Sequence, residues 1–259
     1  MSEAEDETTR RAAGPGIPEI RVDLSDPDTM ALWQTVAKIA SALEDGRDRW
    51  CLVGGLMVAL YAIEAAEIQR PTTDIDILGD ARQRPSGTEW VTNRLQALGA
   101  SRHTIGGFEA EKGFRFELDG HVVDVLAPDG LARPPMTDAQ FQTIQIPGGS
   151  QALRRTETVA MVIEGARVEL RRPTLLAAIL LKARSLRVHS RPEDQRADLI
   201  TLLALLTDPR AAVKELTNRE RAWLQAIEDK LDLADRDLDA EFDATRLRIA
   251  RAAYARLVR

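Results

Sequence analysis

The chain has 259 residues, a hydrophobic fraction of 44% and a formal net charge of −6. That length allows one large domain or two ordinary ones, and that composition excludes a disordered chain. The negative balance excludes a generally basic nucleic-acid binder. No apolar run is long enough to span a bilayer. The N-terminal MSEAEDETTRRAAGPG has no apolar core of a signal peptide, so a cytoplasmic protein without a membrane partner is expected, with residues 1–17 as a mobile tail.

Asp28 to Leu43 carries apolar residues at helical spacing, with Asp26 or Asp28 as its cap. Trp50 to Val53 is a short apolar strand that stops at Gly54-Gly55, and Leu56 to Ala66 is helical. Thr73 to Leu78 alternates as a strand with one polar face. Thr88 to Leu98 is a helix closed by Gly99. Phe114 to Leu118 and His121 to Leu126 flank Asp119-Gly120, a hairpin signal. Strand-like runs follow at Phe141 to Ile146, Val159 to Ile163 and Val168 to Leu170, with a turn at Glu164-Gly165.

From Pro173 onward the pattern is helical: Thr174 to Leu186, Pro192 to Leu206, Asn218 to Leu231 and Asp243 to Val258. The expectation is an α+β protein: residues 18–172 as a mixed sheet flanked by helices, then residues 173–259 as an all-helical domain.

The single cysteine, Cys51, forms no internal disulfide and reads as a buried thiol. His103, His121 and His189 are scattered without metal-ligand spacing. Arg154, Arg155, Arg167, Arg171, Arg172, Lys182, Arg184, Arg187 and Arg191 crowd one region, either as a solvated surface or as a phosphate-binding face.

The chemistry gathers around the first two strands. Asp74 and Asp76 are two apart on a strand, so both side chains share a face. Two carboxylates that close repel each other unless a cation lies between them, and Mg²⁺ suits hard oxygen ligands and substrate phosphates. Gly54-Gly55, between a strand and a helix, lets a ligand approach the backbone at a helix N-terminus. Asp124 interrupts the apolar run VVDVL and is the candidate third carboxylate, as general base or support for a second metal; Glu117 on the neighbouring strand is its rival.

Gly54-Gly55, the run RPTTDIDI from Arg70 to Ile77, and Asp124 resemble the nucleotidyltransferase fold of the DNA polymerase β superfamily. More narrowly, LVGGLMVALYA followed by RPTTDIDIL resembles the AbiEii/MenT-type nucleotidyltransferases, toxins of type IV toxin–antitoxin and phage-defence systems. PTLLAAILLKARSL offers the family's Lys at Lys182, and RPEDQRADLITLLALL offers its Asp at Asp198 or, one turn earlier, Asp194, with Asp198 favoured because Leu199 follows it. Where many superfamily members have Gly-Ser, this chain has Gly54-Gly55 and lacks that hydroxyl.

The resemblance covers about residues 28 to 206 and implies attack of a hydroxyl on the α-phosphate of an NTP with release of pyrophosphate. It implies Mg²⁺ at Asp74, Asp76 and Asp124, and nucleotide contacts from Gly54, Gly55, Thr73 and Lys182. Asp198 would orient Lys182 or meet the nucleotide, and Arg70 would bind phosphate or cap the preceding helix. A tRNA 3′ end is the implied acceptor and a cognate antitoxin the implied partner. Aminoglycosides, lincosamides and protein side chains are the acceptors of other polymerase-β-like enzymes. A silent member that binds RNA or protein is the non-enzymatic alternative.

Overall fold

The computed structural model describes residues 16–67, 70–103, 113–133, 135–188, 192–235, 238 and 242–259. Most of the expected tail, together with His189 and Arg191, lies outside the described residues.

β1 (Glu19–Val22) leads into α1 (Pro27–Ala42). Asp26 caps α1 by accepting from the Thr29 backbone N–H at 2.8 Å, and Pro27 supplies the fixed φ of a first helical turn. α1 buries Leu32, Trp33, Val36, Ile39 and Ala40. A 3-10 segment (Glu44–Arg49) then delivers β2 (Trp50–Val53), whose four residues are all buried. α2 (Gly54–Glu64) begins at the glycine pair itself, two residues earlier than the sequence pattern suggests.

β3 (Asp74–Gly79) and α3 (Gly87–Ala97) follow, and Gly99 ends α3 with φ +93°. β4 (Ser101–Arg102), β5 (Arg115–Leu118) and β6 (His121–Pro128) complete the main sheet with β7 (Gln145–Ile146). Its order is β2-β3-β6-β5-β4, with β7 on β6. β3 and β6 run parallel, whereas β2 with β3 and β5 with β6 are antiparallel. The β5–β6 turn is Asp119-Gly120, both at positive φ, as a two-residue hairpin loop requires.

After α4 (Gly149–Arg154), β8 (Thr156–Ile163) and β9 (Ala166–Pro173) form a second hairpin, closed by Glu164-Gly165 at positive φ. β1 joins β8 in parallel, giving a three-stranded sheet, and β2 packs against β9. The helical part comprises α5 (Leu175–Leu186), α6 (Pro192–Ala204), α7 (Pro209–Glu215), α8 (Asn218–Gln225), α9 (Glu228–Leu231) and α10 (Ala244–Val258). α5 buries nine of its residues, including Lys182, and α6 packs on α5, α10 and α2. The α+β class with mixed sheets flanked by helices is therefore the architecture.

Several elements differ from the sequence pattern. Only Gln145–Ile146 of Phe141 to Ile146 is strand, because Asp138 Oδ1 accepts from the Gln140 and Phe141 backbone N–H groups and curls that segment into a turn. The expected helix Asn218 to Leu231 is two, since α8 ends at Gln225 with Ala226 as its C-cap. β1, β4, α4 and α7 lie outside the expected elements, although Asp208-Pro209 is a helix-start signal and Asp208 caps α7.

The crowded basic residues do not make one face. Arg172 is 2% exposed, donates to Glu157 at 2.8 Å and to Glu64, and lies 3.6 Å from the Tyr61 ring centroid. Arg155 pairs with Glu220, Arg167 with Glu169, and Arg171 donates to the Asp48 carbonyl at 2.7 Å. Only Arg154 and Arg187 of the described members are both exposed and free of a carboxylate partner in the structure. These guanidiniums mostly join elements of the fold.

Candidate active site

The site forms where β2, α2, β3, β5, β6, α5 and α6 meet. Alternation along β3 turns Asp74 and Asp76 to the same side of the sheet. Parallel pairing sets Asp76 opposite Asp124 and Asp74 opposite Val122. The three carboxylates thus share one face, brought together by a register rather than by spacing in the chain.

Asp76 lies against the start of α2. Gly54 has φ +70°, and a Cβ there would overlap the Asp76 Oδ2 atom. A Cβ on Gly55 would come within 2.5 Å of Thr72 Oγ1. The glycine pair therefore admits two protein side chains as well as opening the backbone to a ligand. Val53 provides no side-chain cap, so the first N–H groups of α2 remain available at the cavity.

A cavity of about 770 Å³ opens here, lined by Gly54, Gly55, Thr73, Asp74, Asp76, Asp124 and Lys182. Arg70, Arg115, Ser185 and Gln195 also reach it. A second cavity of about 630 Å³ lies among Glu228, Asp229, Asp232 and Tyr254, at none of the expected site residues.

Asp76 receives no hydrogen bond and no ion pair among the described residues. Burial, followed by the Asp124 and Asp74 charges, raises its pKa, the Lys182 and Arg115 cations oppose them, and the balance stands at about 7. A carboxylate left bare beside two others is a position that a cation would relieve. Among the described residues no three His, Cys, Asp or Glu side chains are disposed to hold a metal unaided. Asp74 and Asp76 supply the one or two carboxylates that Mg²⁺ takes when phosphate oxygens and waters complete its shell, so the donor set fits that ion.

Asp124 is only 6% exposed and both its oxygens are occupied. Arg115 Nε donates to Oδ1 and Nη2 to Oδ2, each at 2.8 Å. Hydrogen bonding to Asp124 holds the guanidinium firmly protonated. Glu117, the rival third carboxylate, is exposed, sits opposite Val122 and does not line the cavity.

Lys182 on α5 is 3% exposed and donates to Asp198 Oδ2 at 2.7 Å and to Gln195 Oε1 at 3.2 Å. Asp198 does not line the cavity and reaches it through Lys182 and Arg70. Arg70 donates to Asp198 from Nε at 3.2 Å and from Nη2 at 3.3 Å, and its Nη1 lies 3.6 Å from Asp194. Asp198 is thus the aspartate that meets both Lys182 and Arg70, whereas Asp194 approaches Arg70 at longer range. The Arg70 bridge ties the segment leading into β3 to helix α6.

Arg115 is the site residue that motif reading missed. The signal was present: a two-residue Asp119-Gly120 loop fixes the register Leu118↔His121, which carries through to Arg115↔Asp124.

No family model and no curated protein matches the chain. Solved structures do resemble it. The solution structure of the antibiotic-resistance factor ANT(2'')-Ia is 17% identical, covers 78% of this chain and 97% of that one, and has a TM-score of 0.42. The crystal structure of an antigenic nucleotidyltransferase-like protein from Paracoccidioides brasiliensis is 14% identical, covers 86% of this chain and 94% of that one, and has a TM-score of 0.44. These are distant likenesses of chain course, and both structures carry a nucleotidyltransferase or resistance-factor description of their own.

Proposed function

We propose that the chain is a Mg²⁺-dependent nucleotidyltransferase that transfers NMP from an NTP to an acceptor hydroxyl and releases pyrophosphate. The reading takes residues 18–172 as the nucleotidyltransferase unit and residues 173–259 as the helical unit that contributes Lys182 and Asp198. The observation that carries it is the bare Asp76 carboxylate, beside Asp74 and against Gly54, at a cavity that Lys182 also lines.

In this reading Asp74 and Asp76 hold Mg²⁺, which when bound neutralises phosphate charge at the reacting centre. The α2 N-terminus at Gly54-Gly55 and the Thr73 hydroxyl orient the triphosphate. Lys182 stabilises charge on the phosphates, and Asp198 keeps its ammonium in place.

The acceptor assigned is a tRNA 3′ end, and the biological role that of a toxin neutralised by a cognate antitoxin; both rest on the sequence resemblance. A second acceptor class, a protein side chain or an antibiotic, is favoured by one observation: the crowded arginines are largely spent within the fold. No helix among the described residues is long and apolar enough to cross a membrane.

The test is transfer of α-³²P from each of the four NTPs onto total tRNA with Mg²⁺, comparing wild type with Asp74→Ala/Asp76→Ala. Label on tRNA that vanishes in the variant supports the reading and identifies the nucleotide. Label found only on protein or an antibiotic moves the acceptor. No transfer to any acceptor defeats the enzyme reading and favours a silent binding member.

A further inference from the structure

Two carboxylates of the cavity are bare or nearly so, and two cations stand beside them. Each cation is fixed by a carboxylate of its own: Lys182 by Asp198, and Arg115 by Asp124. The resemblance makes Asp124 the third catalytic carboxylate. The geometry gives it another task.

Arg115 spends one edge of its guanidinium, Nε and Nη2, on Asp124. Its Nη1 has no hydrogen-bond partner among the described residues, and the side chain lines the cavity while remaining 31% exposed. A planar fork locked on one edge presents its remaining N–H groups in a fixed direction, with little rotamer freedom left to lose when it binds. Asp124, in turn, is buried and accepts two charge-assisted hydrogen bonds. Each bond takes up a lone-pair site on one of the two carboxylate oxygens, in competition with a proton or a metal.

We propose that Arg115 is a further anion-binding residue of this cavity, contacting the NTP phosphates, and that Asp124 positions it rather than acting as a base or metal ligand. This rests on the nucleotidyltransferase reading. It changes the carboxylate count at the chemistry from three to two, with Asp74 and Asp76 as the pair. It also explains why a charged residue interrupts β6: its neighbour in the register is a cation that must point outward.

The test is calorimetric binding of inorganic tripolyphosphate with Mg²⁺ to the full chain. Wild type is compared with Arg115→Met, Arg115→Lys, Asp124→Asn and the Arg115→Met/Asp124→Asn double variant, each checked for folding by circular dichroism. Loss of a charge-assisted pair of hydrogen bonds corresponds to roughly 10- to 100-fold. That weakening is expected for Arg115→Met and for Asp124→Asn, and the double variant should be no weaker than either. Arg115→Lys, which keeps the charge and loses the fork, should fall between.

In the transfer assay, Asp124→Asn should raise KM for the nucleotide and leave kcat at saturation near wild type. A large fall in kcat with unchanged tripolyphosphate binding would make Asp124 the base and overturn the proposal. Unchanged binding in a folded Arg115→Met or Arg115→Lys would overturn it as well, while leaving the nucleotidyltransferase reading intact. Failure of wild type itself to bind tripolyphosphate would remove that underlying reading and the proposal with it.

Discussion

The Asp76 carboxylate stands where a side chain at residue 54 would have to be. Gly54 begins α2 at φ +70°, and a Cβ there overlaps Asp76 Oδ2. The glycine is thus demanded twice, by its backbone angle and by the carboxylate it faces. Gly54→Ala should lower stability by about 1–2 kcal/mol from the left-handed backbone alone. It should also displace Asp76 and abolish nucleotide transfer. Thermal melts and the labelled-transfer assay read the two effects separately. A Gly54→Ala protein with full activity would show that Asp76 need not sit where it does.

The raised pKa of Asp76 has a sign that can be worked out. A carboxylate held above its ordinary 3.8 in the folded state binds a proton more tightly folded than unfolded. Stability therefore falls as pH rises from about 4 towards 7, and the penalty is complete above 7. Removing the charge with Asp76→Asn should stabilise the metal-free protein at pH 8, on the order of 1–4 kcal/mol, and have little effect near pH 4. Mg²⁺ affinity should rise as pH passes through about 7, because the ion displaces a proton there. Denaturant melts at the two pH values and Mg²⁺ titrations across the range check both.

Lys182 and Asp198 are both nearly inaccessible and 2.7 Å apart. Asp198→Leu leaves the Lys182 ammonium buried without its carboxylate and should cost about 3–5 kcal/mol, and Lys182→Met should cost less because Arg70 still pairs with Asp198. The double variant should recover much of that loss. It should not recover nucleotide transfer, because the ammonium at the cavity is gone. A double-variant cycle by urea unfolding, paired with the transfer assay, separates the pair's structural role from its chemical one.

Arg172 joins Glu64, Glu157 and the Tyr61 ring in the core. Arg172→Met should lower stability, but by less than the about 3–5 kcal/mol of a fully buried pair, because Glu64 and Glu157 are each about one-third exposed. Acceptor binding by the folded fraction should not change. By contrast, Arg154→Glu/Arg187→Glu should leave the melting temperature near wild type. If the acceptor is RNA bound through that surface, the pair should weaken binding and flatten its salt dependence. Filter binding at two salt concentrations distinguishes the cases.

Local pattern was enough for much of the architecture. Period-two alternation placed Asp74 and Asp76 on one face, Asp119-Gly120 gave the β5–β6 hairpin, and apolar spacing after Pro173 gave α5, α6 and α10. Pattern misled where a side chain competed for the backbone, as Asp138 does before Phe141. It also misled where charge was counted without partners. Nine basic residues close in sequence looked like a face, but Arg172 points inward and Arg155, Arg167 and Arg171 bind neighbouring elements.

The sequence by itself determined, through strand periodicity, which carboxylates face together along one strand. Only the tertiary structure decided who meets whom between strands and helices. The parallel register sets Asp76 opposite Asp124, and the packing of α5 on α6 brings Asp198 to Lys182. The reason is physical: periodicity is a property of one segment, whereas register and helix packing are chosen by the burial and hydrogen bonding of all segments at once.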